Sequence, residues 1–195
     1  MTEIERITQW VAPGARVLDL GCGSGSLLKH LWQTRQAPGY GVEINDAHVL
    51  ECVKNDVNVL QMNLEDGLAA FADASFDYVI LSETLQAIHH QEPLMKEMLR
   101  VGREAIVSFP NFAYWRARIQ IAFAGHMPVS RELPYEWYDT PNVHHCTLID
   151  FEALCGKLGL KILERVVLRN GGTVRFLPNL LGAHALYRVS AERAQ

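Results

Sequence analysis

The sequence predicts a three-layer, doubly wound α/β fold whose sheet is mostly parallel and closes on an antiparallel last strand. Three observations carry this. Val17 to Gly25 reads Val-Leu-Asp-Leu-Gly-Cys-Gly-Ser-Gly, a short apolar run stopped by three glycines, and Leu27, Leu28 and Leu31 follow at helical spacing. Strand, tight glycine turn and helix open a nucleotide-binding βαβ unit. Phe76 to Leu81 is an almost unbroken apolar run, which suits a central strand buried on both faces of a parallel sheet. Finally, the last two strand-like segments are joined without a clear helix, which predicts an antiparallel addition.

The elements follow in chain order. Ile4, Ile7 and Val11 recur at helical spacing and Pro13-Gly14 stops them, so a short helix precedes the first strand at Arg16 to Leu20. The helix after the glycine turn runs to about Thr34 and Pro38-Gly39 ends it. Tyr40 to Ile44 is the second strand, and Asn45-Asp46 is a helix start signal. Val57 to Met62 is a third short strand, with Asn63-Leu64-Glu65-Asp66 as the loop after it. The helix marked by Leu94, Met95, Met98, Leu99 and Val101 leads to a fifth strand at Glu104 to Phe109. Asn111 to Gly125 carries a helical stripe of Phe112, Trp115, Ile119, Ala122 and Phe123. Thr147 opens a helix that Gly159 closes. Leu160 to Leu168 reads as a strand, Asn170-Gly171-Gly172 as a turn, and Pro178 to Val189 as the last strand.

Bulk properties narrow the class. One domain over residues 1–195 is expected, with a sizeable core. The net charge of −4 argues against a surface that coats DNA or RNA. No apolar run approaches the ~20 residues of a membrane span. The N-terminal Met1-Thr2-Glu3-Ile4-Glu5-Arg6 carries acids and no apolar core, so no signal peptide is expected. Cys22, Cys52, Cys146 and Cys155 form no C-x-x-C pair, so neither structural zinc nor a disulfide framework is expected, and the reducing cytoplasm is the simplest home.

The chemistry concentrates at the glycine turn. A Cβ there would block both the positive-φ turn and close approach of a ligand to the backbone. Glu43 lies eighteen residues past Gly25, at the tip of the second strand, where an acid is placed to bind two ribose hydroxyls. The dinucleotide fingerprint G-x-G-x-x-G fails, because Ser26 stands at its third glycine. Ser82-Glu83-Thr84-Leu85-Gln86 leaves the fourth strand at its carboxyl end, where open α/β sheets bind ligands. The histidines come as two adjacent pairs, His89-His90 and His144-His145, and adjacent residues chelate poorly, so no metal is expected. His144 is the candidate general base, because it follows a long aromatic string; a hydrogen-bonded loop histidine is the alternative. Tyr135, Trp137 and Tyr138 suit a substrate wall or a protein anchor, and packing of the loop onto the domain is an equal alternative.

The form Asp19-x-Gly21-x-Gly23-x-Gly25 resembles motif I of the class I S-adenosylmethionine (SAM) methyltransferases, a Rossmann-like fold. That resemblance implies SAM or S-adenosylhomocysteine as the ligand. It places Asp19 near the methionine end, Glu43 on the ribose, and Asn63 with the Leu64 backbone on the adenine. The rest of the turn (Gly21, Cys22, Gly23, Ser24, Gly25), Ile44 beside Glu43 and Ser82 after the fourth strand complete the implied set. Further strings look like the methionine biosynthesis protein W family. They are Ser82-Glu83-Thr84-Leu85-Gln86, Ser108-Phe109-Pro110-Asn111 with Trp115, and Leu133-Pro134-Tyr135-Glu136-Trp137-Tyr138-Asp139-Thr140-Pro141-Asn142. This resemblance implies a seven-strand methyltransferase fold, a role in methionine biosynthesis and association with homoserine O-acyltransferase. Two classes of function stay open: a SAM-binding accessory subunit that acts on the acyltransferase, or a methyltransferase for an unknown small molecule. The stretch at about 111–145 is expected to be an insertion that meets a partner or covers a substrate, since such connections commonly need only 2–6 residues.

Overall fold

The computed structural model describes residues 2–192. Among them, eight strands form one sheet: β1 (Val17–Leu20), β2 (Gly39–Glu43), β3 (Val59–Gln61), β4 (Phe76–Ser82), β5 (Gly102–Pro110), β6 (Leu160–Arg169), β7 (Gly172–Thr173) and β8 (His184–Ala191). Their spatial order is β3-β2-β1-β4-β5-β8-β6-β7. The first five strands pair in parallel, and β8 lies antiparallel between β5 and β6. The expected mostly parallel sheet with an antiparallel addition is therefore present. The helices are α1 (Glu3–Trp10), α2 (Ser26–Arg35), α3 (Asp46–Lys54), α4 (Gln91–Val101), α5 (Trp115–Ile119), α6 (Leu148–Lys157) and α7 (Pro178–Leu181).

Period-two alternation builds the three layers. Ile80 of β4 and Ile106 of β5 face the layer of α1 and α2, with Ile7, Trp10, Leu28 and Leu31. Their neighbours Val79, Leu81, Ala105, Val107 and Phe109 face the layer of α4 and α6, with Met95, Met98 and Phe151. Both faces of the central strands are thus covered, which is why those strands read as continuous apolar runs. Each fully buried Leu or Ile there contributes about 1.5–3 kcal/mol. Phe109, Phe151 and Tyr187 stack into one aromatic cluster, and burial raises the Tyr187 phenol while its hydroxyl donates to Glu152 at 2.8 Å. Short polar residues start the helices as their sequences suggest. Thr2 and Thr147 close capping boxes with Glu5 and Asp150, and the Asn45 side chain accepts from the Ala47 and His48 amides.

Several boundaries differ from the sequence reading. The third strand starts at Val59, because the Val57 amide is spent closing α3 on the Cys52 carbonyl. The segment from Pro178 to Leu181 is a helical turn; Pro178 sits at its start, where a missing N–H costs nothing, so the last strand begins at His184. The turn at Asn170-Gly171 also carries the two-residue strand β7. The stripe after Asn111 forms only α5 and a following π-turn, Gln120–Ala124, and Phe123 is left 86% exposed. Spacing alone gave that stripe a core to face; Phe112 and Trp115 are half-buried, and Ile119, Ala122 and Phe123 stay exposed.

Candidate functional site

The strand order reverses between β1 and β4, and open α/β sheets bind ligands at such a switch point, outside the carboxyl ends of the strands. A cavity of about 540 Å³ lies there. The glycine turn forms one wall. Gly21, Gly23 and Gly25 all have left-handed backbones, with φ of +72°, +54° and +75°. At Gly21 the requirement is double, because a Cβ would also stand 2.5 Å from the Thr84 hydroxyl. The Gly21 and Cys22 amides donate to the Val42 carbonyl at 2.8 and 3.1 Å, which fastens the turn to the end of β2.

Glu43 forms the second wall. It is buried at the tip of β2. Its Oε2 accepts from the Gly23 amide at 2.9 Å, and its Oε1 accepts from the Ile44 and Asn45 amides at 2.8 and 2.9 Å. One carboxylate therefore ties the first loop to the second. A carboxylate has about four acceptor sites, so capacity for a ligand hydroxyl remains on Oε2. Asn63, Leu64 and Met62 line the far side. The Asn63 side-chain Oδ1 accepts from the Glu65 amide at 3.0 Å and caps the short 3-10 turn Leu64–Asp66. Opposite them stand Thr84, Ala87, Ile88 and His89. The His89 amide donates to Glu65 at 2.6 Å, bridging the rims of the cavity.

The anticipated residues divide. Gly21, Gly23, Glu43, Ile44, Asn63 and Leu64 line the cavity together. Cys22 lies beneath the turn, with its sulfur 3.7 Å from that of Cys52, and burial pushes its thiol well up, so it is a packing residue. Ser24 offers its carbonyl to the Asn55 side chain, and Gly25 starts α2. Asp19 is fully buried behind the turn. Burial first, then the neighbouring Glu3 and Glu43, raise its carboxyl to about 7. Ser82 does not line the cavity: its hydroxyl donates to Glu3 at 2.6 Å, and Thr84, two residues on, takes the lining position. His144 is exposed outside the cavity, its amide donating to the Gln86 carbonyl at 3.0 Å. Its neighbour His145 stacks on Phe112 at 4.3 Å, and burial lowers its imidazole below the usual range.

Sequence reasoning missed His48, Thr84 and His89 as lining residues. The segment Ser82 to Gln86 already pointed to the carboxyl end of β4, and a signal for Thr84 was available there. It also missed Glu3, which reaches the sheet from α1. The Glu3 carboxylate accepts from Ser82 and Ser108 and faces His184 at 3.1 Å. Burial alone would raise the Glu3 carboxyl, yet these partners hold it below its ordinary value. The segment after β5 is anchored at its start by buried Asn111, whose side-chain Nδ2 donates to the Asn179 and Gly182 carbonyls at 3.0 and 2.8 Å. Beyond residue 125 it forms no helix or strand up to α6, and Tyr135, Trp137 and Tyr138 stand exposed.

Known proteins share this architecture. The family description "Methionine biosynthesis protein MetW" matches residues 1–189. The chain is 40% identical over 171 residues to the bifunctional methionine biosynthesis protein MetXA/MetW of Rhodopirellula baltica, covering 83% of this chain and 27% of that protein. It therefore spans about a quarter of the length of that curated relative. Among solved structures, a SAM-dependent methyltransferase from Archaeoglobus fulgidus superposes with a TM-score of 0.72 at 15% identity, covering 96% of this chain and 90% of that one. A putative SAM-dependent methyltransferase from Listeria monocytogenes gives 0.72 at 16%, covering 98% and 97%. The [4+2]-cyclase SpnF gives 0.68 at 15%, covering 97% and 82%. At such identities the likeness is one of fold. No helix among the described residues is long and apolar enough to cross a membrane.

Proposed function

The chain belongs to the methionine biosynthesis protein MetW family, and from that premise we propose that it binds SAM or S-adenosylhomocysteine and acts with, or regulates, homoserine O-acyltransferase. The cavity at the switch point carries the ligand half of this reading. The glycine turn, the Glu43 carboxylate and an apolar strip of Met62, Leu64 and Ile88 line it together. Such a site suits a nucleoside with a charged tail: hydroxyls meet Glu43, the base meets the strip, and the tail runs along the turn toward Asp19. The partner half rests on the name of the Rhodopirellula baltica relative, which joins MetXA to MetW in one chain. The exposed aromatics Tyr135, Trp137 and Tyr138 offer anchors of the kind protein interfaces use. All four cysteines are free thiols, which suits a cytoplasmic location.

A methyltransferase for an unknown small molecule is the second reading, and one observation favours it. A cleft of about 360 Å³ lies across the Glu83-Thr84 loop, Glu83 lining the cleft and Thr84 the first cavity. A pure sensor has no need of room for an acceptor. Methyl transfer from a sulfonium needs alignment more than acid–base chemistry, so the site need not contain a triad. SpnF, named as a cyclase, shares the fold, so the fold alone does not decide for methyl transfer.

Calorimetry tests the ligand. Wild-type protein should take up SAM, and Glu43→Ala should lose roughly 1–3 kcal/mol of binding free energy with its charged hydrogen bonds. No heat with millimolar SAM would refute the assignment. Co-purification with the acyltransferase, and its assay with and without SAM, separates the accessory reading from the enzymatic one.

A further inference from the structure

The cleft beside the ligand cavity holds three side chains brought from distant parts of the chain. Glu3 comes from the first turn of α1, Glu83 from the loop after β4, and His184 from the first position of β8. His184 Nε2 lies 3.1 Å from Glu3 Oε2, and its Nδ1 lies 3.5 Å from Glu83 Oε1. One donor atom from each residue falls within 4.8 Å of the other two. His184 Nε2 is shielded from solvent and faces the Glu3 carboxylate.

We propose that Glu3, Glu83 and His184 form a binding site for a first-row divalent cation of the Mn²⁺ or Zn²⁺ type, open to the adjacent cleft. Two atoms that each ligate one ion at about 2.1 Å stand about 3.0 Å apart at a right angle and about 3.4 Å apart at the tetrahedral angle. The 3.1 Å separation of Nε2 and Oε2 fits an edge of such a polyhedron. One imidazole with two carboxylates suits Mn²⁺, Zn²⁺ or Fe²⁺ better than Mg²⁺ or Ca²⁺, which prefer oxygen alone. Three protein ligands leave positions free for a small molecule in the cleft, as catalytic sites do.

The surroundings position these ligands. Glu3 Oε1 accepts from the Ser82 and Ser108 hydroxyls, which leaves Oε2 turned toward His184. Such outer hydrogen bonds orient metal ligands. Glu83 has a left-handed backbone, φ +50°, unusual for a residue with a side chain. Its amide donates to the Ser108 hydroxyl at 3.1 Å, and its carbonyl accepts from the Gln86 side chain at 2.6 Å, so the conformation is pinned. Glu132 adds a third carboxylate to the cleft, and Arg131 and Arg169 line it as well. A divalent ion would offset the negative charge gathered on Glu3, Glu83 and Glu132. Without one, His184 can serve as the positive centre between Glu3 and Glu83, and the experiment must separate these two occupants, metal and proton.

The full chain, stripped with a chelator, is titrated with MnCl₂ at neutral pH. Free Mn²⁺ is followed by electron paramagnetic resonance, Zn²⁺ and Mg²⁺ serve as competitors, and the unfolding temperature is recorded in parallel. The expected result is one saturable site per chain, displaced by Zn²⁺ and not by equal Mg²⁺, with a rise in unfolding temperature. Glu83→Gln should weaken Mn²⁺ binding by about tenfold or more. The Glu83 side chain is 60% exposed, so this variant should fold even where His184→Gln does not. Absence of saturable Mn²⁺ or Zn²⁺ binding up to about 1 mM would overturn the site, leaving the proton as its occupant. Wild-type affinity in folded Glu83→Gln would overturn it equally.

Discussion

The loops that carry Glu43 and Trp137 both leave the sheet at its carboxyl edge, and they are held in opposite ways. Around Glu43, three backbone amides converge on one carboxylate and two more on the Val42 carbonyl. The glycine turn is thereby fixed before any ligand arrives, and the cost of ordering it is met in folding, so binding does not bear it. Around Trp137 there is no helix or strand, and Trp137 and Tyr138 are more than 70% exposed. Their main ring contact is with each other, edge to face at 5.8 Å. Large apolar side chains left in water mark a surface that gains by being covered. One region is therefore ordered by its own hydrogen bonds. The other carries its large aromatic side chains in water.

That contrast predicts unequal responses to mutation. The largest is expected at the glycine turn. Gly21→Ala puts a Cβ into a left-handed backbone and against Thr84. It should cost roughly 2–5 kcal/mol in denaturant unfolding and remove SAM binding in calorimetry. Unchanged stability would mean that the turn is softer than its hydrogen bonds imply.

A smaller effect should follow pH. Asp19 ionises near 3.8 ordinarily and near 7 when folded. Between those values the folded protein holds a proton that the unfolded chain has released. This group's stability contribution is therefore complete below about pH 3.8 and is lost as pH rises through about 7. From pH 5 to 8 the ligand-free protein should lose roughly 2–3 kcal/mol through this group. Asp19→Asn should flatten that part of the profile in urea titrations at several pH values. If both proteins lose stability in parallel over that range, the fall belongs to other groups.

The smallest folding effect is expected at Trp137. Trp137→Ala should change stability by no more than about 0.5 kcal/mol and leave SAM affinity intact. Its consequence should appear as weaker capture of the acyltransferase, or as slower methylation of an acceptor under the second reading. Loss of folding or of SAM binding, with partner and substrate assays unchanged on the folded fraction, would place Trp137 in the packing and remove the difference between the two loops.

Much of this was readable in the chain. The glycine turn, its helix and Glu43 form a local pattern, because strand, turn and helix formation depend on neighbours a few positions away. The doubly wound sheet and its antiparallel end followed from the same periodicities. The stretch from Pro178 to Leu181 misled the reading of the last strand because a proline that can start a helix can equally precede a strand. The stripe after Asn111 misled it differently. Helical spacing reports which residues share a face, and says nothing of whether another element arrives to bury that face.

The sequence by itself determined the parallel half of the sheet with its helices, the glycine turn and the acid at the tip of β2. Only the tertiary structure decided that Ser82 serves Glu3, that Thr84 and His89 line the cavity, and that Glu3, Glu83 and His184 meet. Ser108 and Glu3 are 105 positions apart. No periodicity links residues at that distance. Their meeting is fixed by the packing of α1 on one face of the sheet and by the insertion of β8 between β5 and β6, and both are set by the core as a whole.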